Sequence, residues 1–85
     1  MSQGEKHLVI KKYANRKFYD TESSRYVTLS EIQNHALNRS VIVIDNKTKR
    51  DITRKTLAMS LVESLGESET VSVSDIVDLI KKSKV

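Results

Sequence analysis

The stretch KKYANRKFYDTESSRYVTLSEI, Lys11 to Ile32, holds the aromatic residues of the chain, Tyr13, Phe18, Tyr19 and Tyr26, interleaved with Lys11, Lys12, Arg16, Lys17 and Arg25. A disordered basic tail would lack the aromatics, and a segment made only for a core would lack the charges. The mixture predicts a folded surface that meets something anionic. LVIKKYA and KFYD have the β-branched and aromatic content of strands, and RYV follows the turn-like DTESS, so KFYD and RYV read as a hairpin. In VTLSEI, Thr28 is an N-cap, Glu31 completes a capping box, and Val27 and Ile32 have the spacing of a hydrophobic staple. A helix is expected from Leu29, with Leu29, Ile32, Ala36 and Leu37 as its apolar positions and Asn38 as its stop.

After the strand VIVID the same grammar returns. With Asp20 placed on Asp45, an offset of 25, Arg25 falls on Arg50, Val27 on Ile52, Thr28 on Thr53 and Ile32 on Leu57. Both units read as strand, polar turn, Arg, apolar staple, Thr cap and helix, although two units are too few for a solenoid. The second helix is expected from Arg54 to about Leu65, with a stripe of Leu57, Ala58, Leu61, Val62 and Leu65 and with Gly66 as its C-terminal cap. A last helix beginning at Ser74 carries Val77 and Ile80 behind Val73 and Ile76, and ends in KKSK, where the helix dipole favours cations. The expected fold is α+β: a small single domain of β-hairpin-helix units, ββαββα-like, followed by a C-terminal helix. Residues 1–9 are expected to be a partly flexible start, 10–66 the main domain and 67–85 a helical extension.

At 85 residues the chain forms one domain that buries only about 60–65% of its unfolded surface, so the core is marginal. Without cysteine it has no disulfide framework or thiolate site, which leaves oligomerisation, at least a dimer, as the expected support. The longest apolar run, Val41 to Ile44, is far too short to span a bilayer. No secretory h-region opens the chain, and a cytoplasmic protein with no membrane partner is expected.

The net charge of +4 is unevenly spread. Lys6 to Tyr26 holds six Lys/Arg against two acids, Arg39 to Lys55 another six against two, and Thr56 to Ile80 five acids and no Lys/Arg. A basic front joined to an acidic back favours nucleic acid as the partner of the front.

Catalysis has little to stand on. His7 lies near the start, His35 has no acid or hydroxyl partner within a short-range pattern, and the two glycines, Gly4 and Gly66, make no phosphate loop. No metal-ligand spacing occurs, and the partial calcium pattern of Asp45, Asn46 and Asp51 is interrupted by the cationic KTKR. Neither enzyme activity nor a cofactor is expected.

For DNA the candidates are Lys11, Lys12, Tyr13, Asn15, Arg16, Lys17, Tyr19 and Arg25. In a regular strand Lys11, Tyr13, Asn15, Lys17 and Tyr19 share one side, combining ammonium groups for phosphates with groups that hydrogen-bond bases. A two-stranded ribbon of this kind fits the major groove, with Arg16 suited to guanine and Asn15 to adenine. Phe18 is expected in the core. Lys47, Lys49, Arg50 and Arg54 are candidates for additional phosphate contacts; Arg54 and Lys55 fall at a helix N-terminus, where cations are disfavoured unless an anion is present.

The segments IKKYANRKFYDTESSRYVTLSEI and VIDNKTKRDIT resemble the N-terminal DNA-binding domain of the polyhydroxyalkanoate (polyhydroxybutyrate) synthesis repressors, bacterial regulators of carbon-storage granules. The resemblance spans about Ile10 to Glu63. It implies repression of granule-associated genes by binding double-stranded DNA upstream of them, with release when polymer is sensed. It also implies the polymer or a granule protein as a further partner. Its basic, tyrosine-rich stretch falls on Lys11, Lys12, Tyr13, Asn15, Arg16 and Tyr19. The family tends to have Arg and Leu where this chain has Lys17 and Phe18, and Gly where it has Lys49, which points to a different geometry in the second turn. It also tends to continue into a C-terminal region, where this chain has the helix-like VSVSDIVDLIKKSKV. Two other readings remain: an interaction module whose amphipathic back half binds a partner or the granule surface while the basic front keeps it soluble, and an RNA binder whose tyrosines stack on bases.

Overall fold

The computed structural model describes residues 7–84, apart from the side chain of Asn15; residues 1–6, which make up most of the expected flexible start, lie outside that description. Four strands, β1 (Leu8–Tyr13), β2 (Lys17–Asp20), β3 (Arg25–Val27) and β4 (Val41–Asp45), form one mixed sheet in the order β3-β2-β1-β4. The three helices are α1 (Leu29–Asn38), α2 (Thr53–Glu67) and α3 (Val73–Ser83). The α+β class is as expected.

The order is βββαβαα rather than ββαββα. In the second unit the returning arm is reduced to a single bridge, Ile44 to Asp51. The backbone N–H of Ile52 already bonds the Val43 carbonyl, and helix α2 opens at the next residue, which leaves no length for a strand.

Period-2 alternation gives the sheet two unlike faces. Leu8, Ile10, Phe18, Val27, Val41 and Val43 point to one side and pack with Ile32 of α1 as the buried core. This side is closed by α1 and α2. Helix α1 starts and stops as expected: Thr28 Oγ1 accepts from the Glu31 N–H, Glu31 accepts from the Thr28 N–H, and Val27 and Ile32 are both buried. Leu37 faces solvent, because only Leu29, Ile32 and Ala36 turn toward the sheet.

Helix α2 buries a different face from the expected stripe. Its buried residues are Thr56 and Ser60, with Leu57 and Met59 packed beside them, while Leu61 and Val62 are exposed. Each buried hydroxyl donates to a carbonyl of its own helix: Thr56 to Ile52 at 2.8 Å, Ser60 to Leu57 at 2.7 Å. Ser60 also accepts from Gln33 Nε2 of α1. Small satisfied hydroxyls can be buried at little cost, so the buried face reads as polar in the sequence.

Gly66 does not cap α2; it lies inside the helix, which ends with Ser68 as its C-cap. Helix α3 begins one residue before Ser74, with Ser72 and Asp75 forming a second full capping box. No helix among the described residues is long and apolar enough to cross a membrane.

Candidate nucleic-acid interface

Among the described residues, no helix covers the second face of the sheet. The same alternation that buries Ile10 and Phe18 turns Val9, Lys11 and Tyr13 of β1, Lys17 and Tyr19 of β2, Tyr26 of β3 and Ile42 and Ile44 of β4 outward, all half-buried or exposed. Register places Lys11 opposite Tyr19, Tyr19 opposite Tyr26, and Tyr13 opposite Lys17. The three tyrosines stack edge to face across the strands, with ring centroids 6.3 Å apart for Tyr13 and Tyr19 and 5.3 Å for Tyr19 and Tyr26. Such geometry is the favoured one for aromatic pairs. Lys17 Nζ lies 5.6 Å from the centre of the Tyr26 ring, within cation–π range. The ladder is a firm, partly apolar floor edged by ammonium groups.

Asn15 and Arg16 do not lie on a regular strand. Ala14–Arg16 is a 3-10 turn closing the β1–β2 hairpin between the paired Tyr13 and Lys17. Arg16 is exposed and takes the left-handed conformation, φ 62°, which the third residue of a three-residue hairpin loop commonly needs and glycine adopts most cheaply. Lys11, Tyr13, Lys17 and Tyr19 share a face even so, because the turn restores the alternation on β2.

The parallel pairing of β1 with β4 decides where the second basic patch lies. Lys12 pairs with Asp45, and the Asn46 N–H donates to the Lys12 carbonyl at 2.9 Å. The turn after β4, bearing Lys47 and Lys49, therefore stands at the same end of the sheet as the Ala14–Arg16 tip, and Arg50 follows it; all three cations are exposed. Lys12 is half-buried on the covered side beside Asp45. Arg54, also exposed, is on α2 behind the sheet.

Ion pairing divides the sheet into two ends. At the end away from the tip, Arg25 Nη2 is 2.8 Å from Glu31 Oε2, and Arg39 Nη1 is 2.8 Å from Glu22 Oε1. The guanidinium of Arg25, hydrogen-bonded to Glu31, holds that carboxyl below its ordinary range, and Arg39 does the same to Glu22. Arg25 thus braces the capping box of α1. Lys11, Lys12, Arg16, Lys17, Lys47, Lys49 and Arg50 form no ion pair among the described residues. Two acids at this end are engaged locally: Asp45 Oδ1 accepts from the Lys47 and Thr48 N–H groups, and Asp51 Oδ1 from the Thr53 N–H and hydroxyl. Glu63 of α2 lines the same cleft as Arg16 and Lys17 without forming a salt bridge to either.

His35 has a partner that short-range patterns could not supply. Its Nε2 is 4.0 Å from Oδ2 of Asp20, a residue only 3% exposed. Burial pushes the Asp20 carboxyl up, but N–H donors from Ser23 and Glu22, with His35 beside it, outweigh this and hold it below the usual value. The pair lies at the ion-paired end and adds nothing to the cationic end. Among the described residues no three His, Cys, Asp or Glu side chains gather as a metal site.

Tyr26 was not among the sequence candidates, yet it is 54% exposed and completes the ladder. Its signal was present: a turn closing at Asp20 and Arg25 sets Tyr26 opposite Tyr19.

Residues 9–68 match the family model of the PHB/PHA accumulation regulator DNA-binding domain. The chain is 40% identical over 75 residues to a Thiocystis violacea protein described as "Uncharacterized protein in phbA 5'region", an alignment covering 86% of this chain and 54% of that protein. It is also 41% identical over 56 residues to an uncharacterized protein of Allochromatium vinosum, covering 65% of this chain and 37% of the relative. The alignments thus span about half or less of these relatives. No solved structure matches the chain.

Proposed function

The chain belongs to the PHB/PHA accumulation regulator DNA-binding domain family, a family of regulatory DNA-binding domains, and we propose that it binds duplex DNA through the cationic end of its open sheet face. The observation that carries this is the segregation of charge. The arginines at one end are paired with glutamates, whereas the cations at the tip end, converging from two turns, form no salt bridge among the described residues. Unpaired cations held together by a fold repel one another, and a polyanion relieves that repulsion.

In this reading Lys11, Lys17, Lys47, Lys49 and Arg50 neutralise phosphates, with Lys12 and Arg54 at the margins. Arg16, exposed at the hairpin tip, would read a guanine edge in the major groove, with Asn15 of the same turn as the candidate for adenine. Arg16 supports the assignment, since it stands exposed at the tip of the hairpin with no salt bridge among the described residues. Tyr13, Tyr19 and Tyr26 keep the ribbon rigid and set the depth of approach, while Arg25 acts indirectly by bracing α1.

The regulated genes would be those of polyhydroxyalkanoate storage, and the action repression in the bacterial cytoplasm by a homo-oligomer, with polymer or a granule protein as the releasing partner. The description of the Thiocystis protein, which sets it in the 5' region of phbA, supports that choice of target.

Fluorescence anisotropy against a promoter duplex and a scrambled duplex, at several salt concentrations, tests the proposal. Promoter DNA should bind more tightly at physiological salt, with a log–log salt slope of roughly 0.9 per neutralised phosphate. Arg16→Ala should cost about 1–3 kcal/mol on promoter DNA and narrow the gap to the scrambled duplex. Equal binding of both duplexes by the unaltered chain would refute sequence recognition.

A further inference from the structure

Helix α3 is encoded with care and then left unpacked. A full capping box starts it and lysines close it, yet none of its residues is buried, and among the described residues only the edge of α2 lies alongside it. An isolated helix of 11 residues is marginal in water. Of the eight large apolar residues exposed among the described residues, six belong to α2 and α3: Leu61, Val62, Val73, Val77, Leu79 and Ile80. The two helices form one apolar groove, in which Leu65 and Ile76 are half-buried. The Cα radius of gyration, 14.8 Å, exceeds the about 12 Å expected of a compact chain this long, consistent with an arm that reaches away from the body.

The charges along the arm identify what covers it. Glu63 and Glu67 on the second half of α2, and Asp75 and Asp78 on the first half of α3, are followed by Lys81, Lys82 and Lys84. A parallel neighbour of the same sequence would set like charges side by side. An antiparallel copy sets the lysine end of each α3 against the acidic half of the other, and the pairing is made twice, as a two-fold axis requires. We propose that the α2–α3 arm is the homodimer interface, two copies packing their apolar grooves together with the α3 helices antiparallel. This rests on, and deepens, the homo-oligomer in the functional reading above. It would present two cationic sheet faces related by a two-fold axis, which suits a palindromic operator.

Sedimentation velocity of the 85-residue chain without DNA, over a concentration series, should give a dimer. Two variants then test the charge pattern: Lys81→Glu with Lys82→Glu leaves Lys84 as the one cation of the arm's second half and makes the arm strongly acidic, and Glu67→Lys with Asp78→Lys makes it net basic. Each alone should raise the dimer dissociation constant by about tenfold or more through like-charge opposition. An equimolar mixture of the two should recover the dimer, and recovery also shows that both arms still fold. A monomeric unaltered chain, variants that dimerise undiminished, or a mixture that stays dissociated would each overturn the interface. Anisotropy on the same samples separates the two proposals: a monomer that still selects promoter DNA defeats only the arm, and a dimer indifferent to DNA defeats only the DNA reading.

Discussion

The turns after β2 and β4 are local copies placed in opposite surroundings. Asp20 Oδ1 accepts from the N–H groups two and three residues on, at 2.7 and 3.0 Å, and Asp45 Oδ1 does the same at 2.8 and 3.1 Å. Each turn then closes with a backbone bond from the fourth residue, Ser24 to Asp20 at 2.8 Å and Lys49 to Asp45 at 2.7 Å. Both closing residues are left-handed, with φ 59° and 65°. The second turn thus has the left-handed geometry that glycine favours, with a lysine in that place. The first aspartate, however, is buried beside His35 at the ion-paired end, whereas the second is half-buried at the cationic end. Side-chain chemistry at a fixed offset makes the turn, and the surroundings decide what that turn is worth.

The sharpest way to break this equivalence is to delete each carboxylate in turn. Asp20→Ala removes a buried carboxylate together with its two hydrogen bonds and leaves a cavity in its place, and should lower stability by about 2–3 kcal/mol in urea denaturation, whereas Asp45→Ala, with water able to replace the half-buried carboxylate, should cost clearly less. Equal losses would mean that burial adds nothing to the first turn.

Acid titration extends the same contrast. The folded value of Asp20 is depressed below the ordinary 3.8, so its stabilising effect is fully present above that pH. It is lost as pH falls through the folded value, where the carboxyl protonates. Asp20→Asn should therefore flatten the loss of stability below about pH 4 in circular dichroism followed against pH. An unchanged acid limb would show that other carboxylates set it.

Relieving the left-handed residues is a smaller perturbation. Ser24→Gly and Lys49→Gly should each stabilise the fold by about 0.5–1 kcal/mol, seen as a raised Tm. The smallest effect is the most discriminating for function. Lys49→Gly should also weaken DNA binding and reduce the salt slope by about one, while Ser24→Gly leaves both unchanged. If the two glycine variants bind DNA alike, the second turn is no part of the interface.

Much of the local structure was legible because it rests on hydrogen bonds between residues a few positions apart. The Thr28 capping box, the span of α1, the Asp turns and the strand VIVID follow from residue types at fixed offsets. The offset repeat was legible too, but it misled at Thr53. There the hydroxyl accepts from the Val43 N–H at 2.8 Å and fixes α2 to the sheet instead of capping it. The buried face of α2 escaped notice because a satisfied hydroxyl reads as solvent-facing.

For the candidate interface, the residue types and the strand alternation marked Lys11, Tyr13, Asn15, Lys17 and Tyr19 as one set, of which Asn15 lies in the turn instead. Alternation alone says that a strand has two faces; it does not say which one the helices close. That depended on β4 pairing in parallel with β1, 33 residues apart at Leu8 and Val41. The same pairing brought Lys47 and Lys49 to the hairpin tip and left Arg25 and Arg39 with the glutamates at the other end. The sequence by itself determined the caps, the turns and the chemistry carried on each strand, since these are set within a few residues. Only the tertiary structure decided which cations stand together unpaired, because strand order follows from burying one continuous core, and charges go wherever that packing carries them.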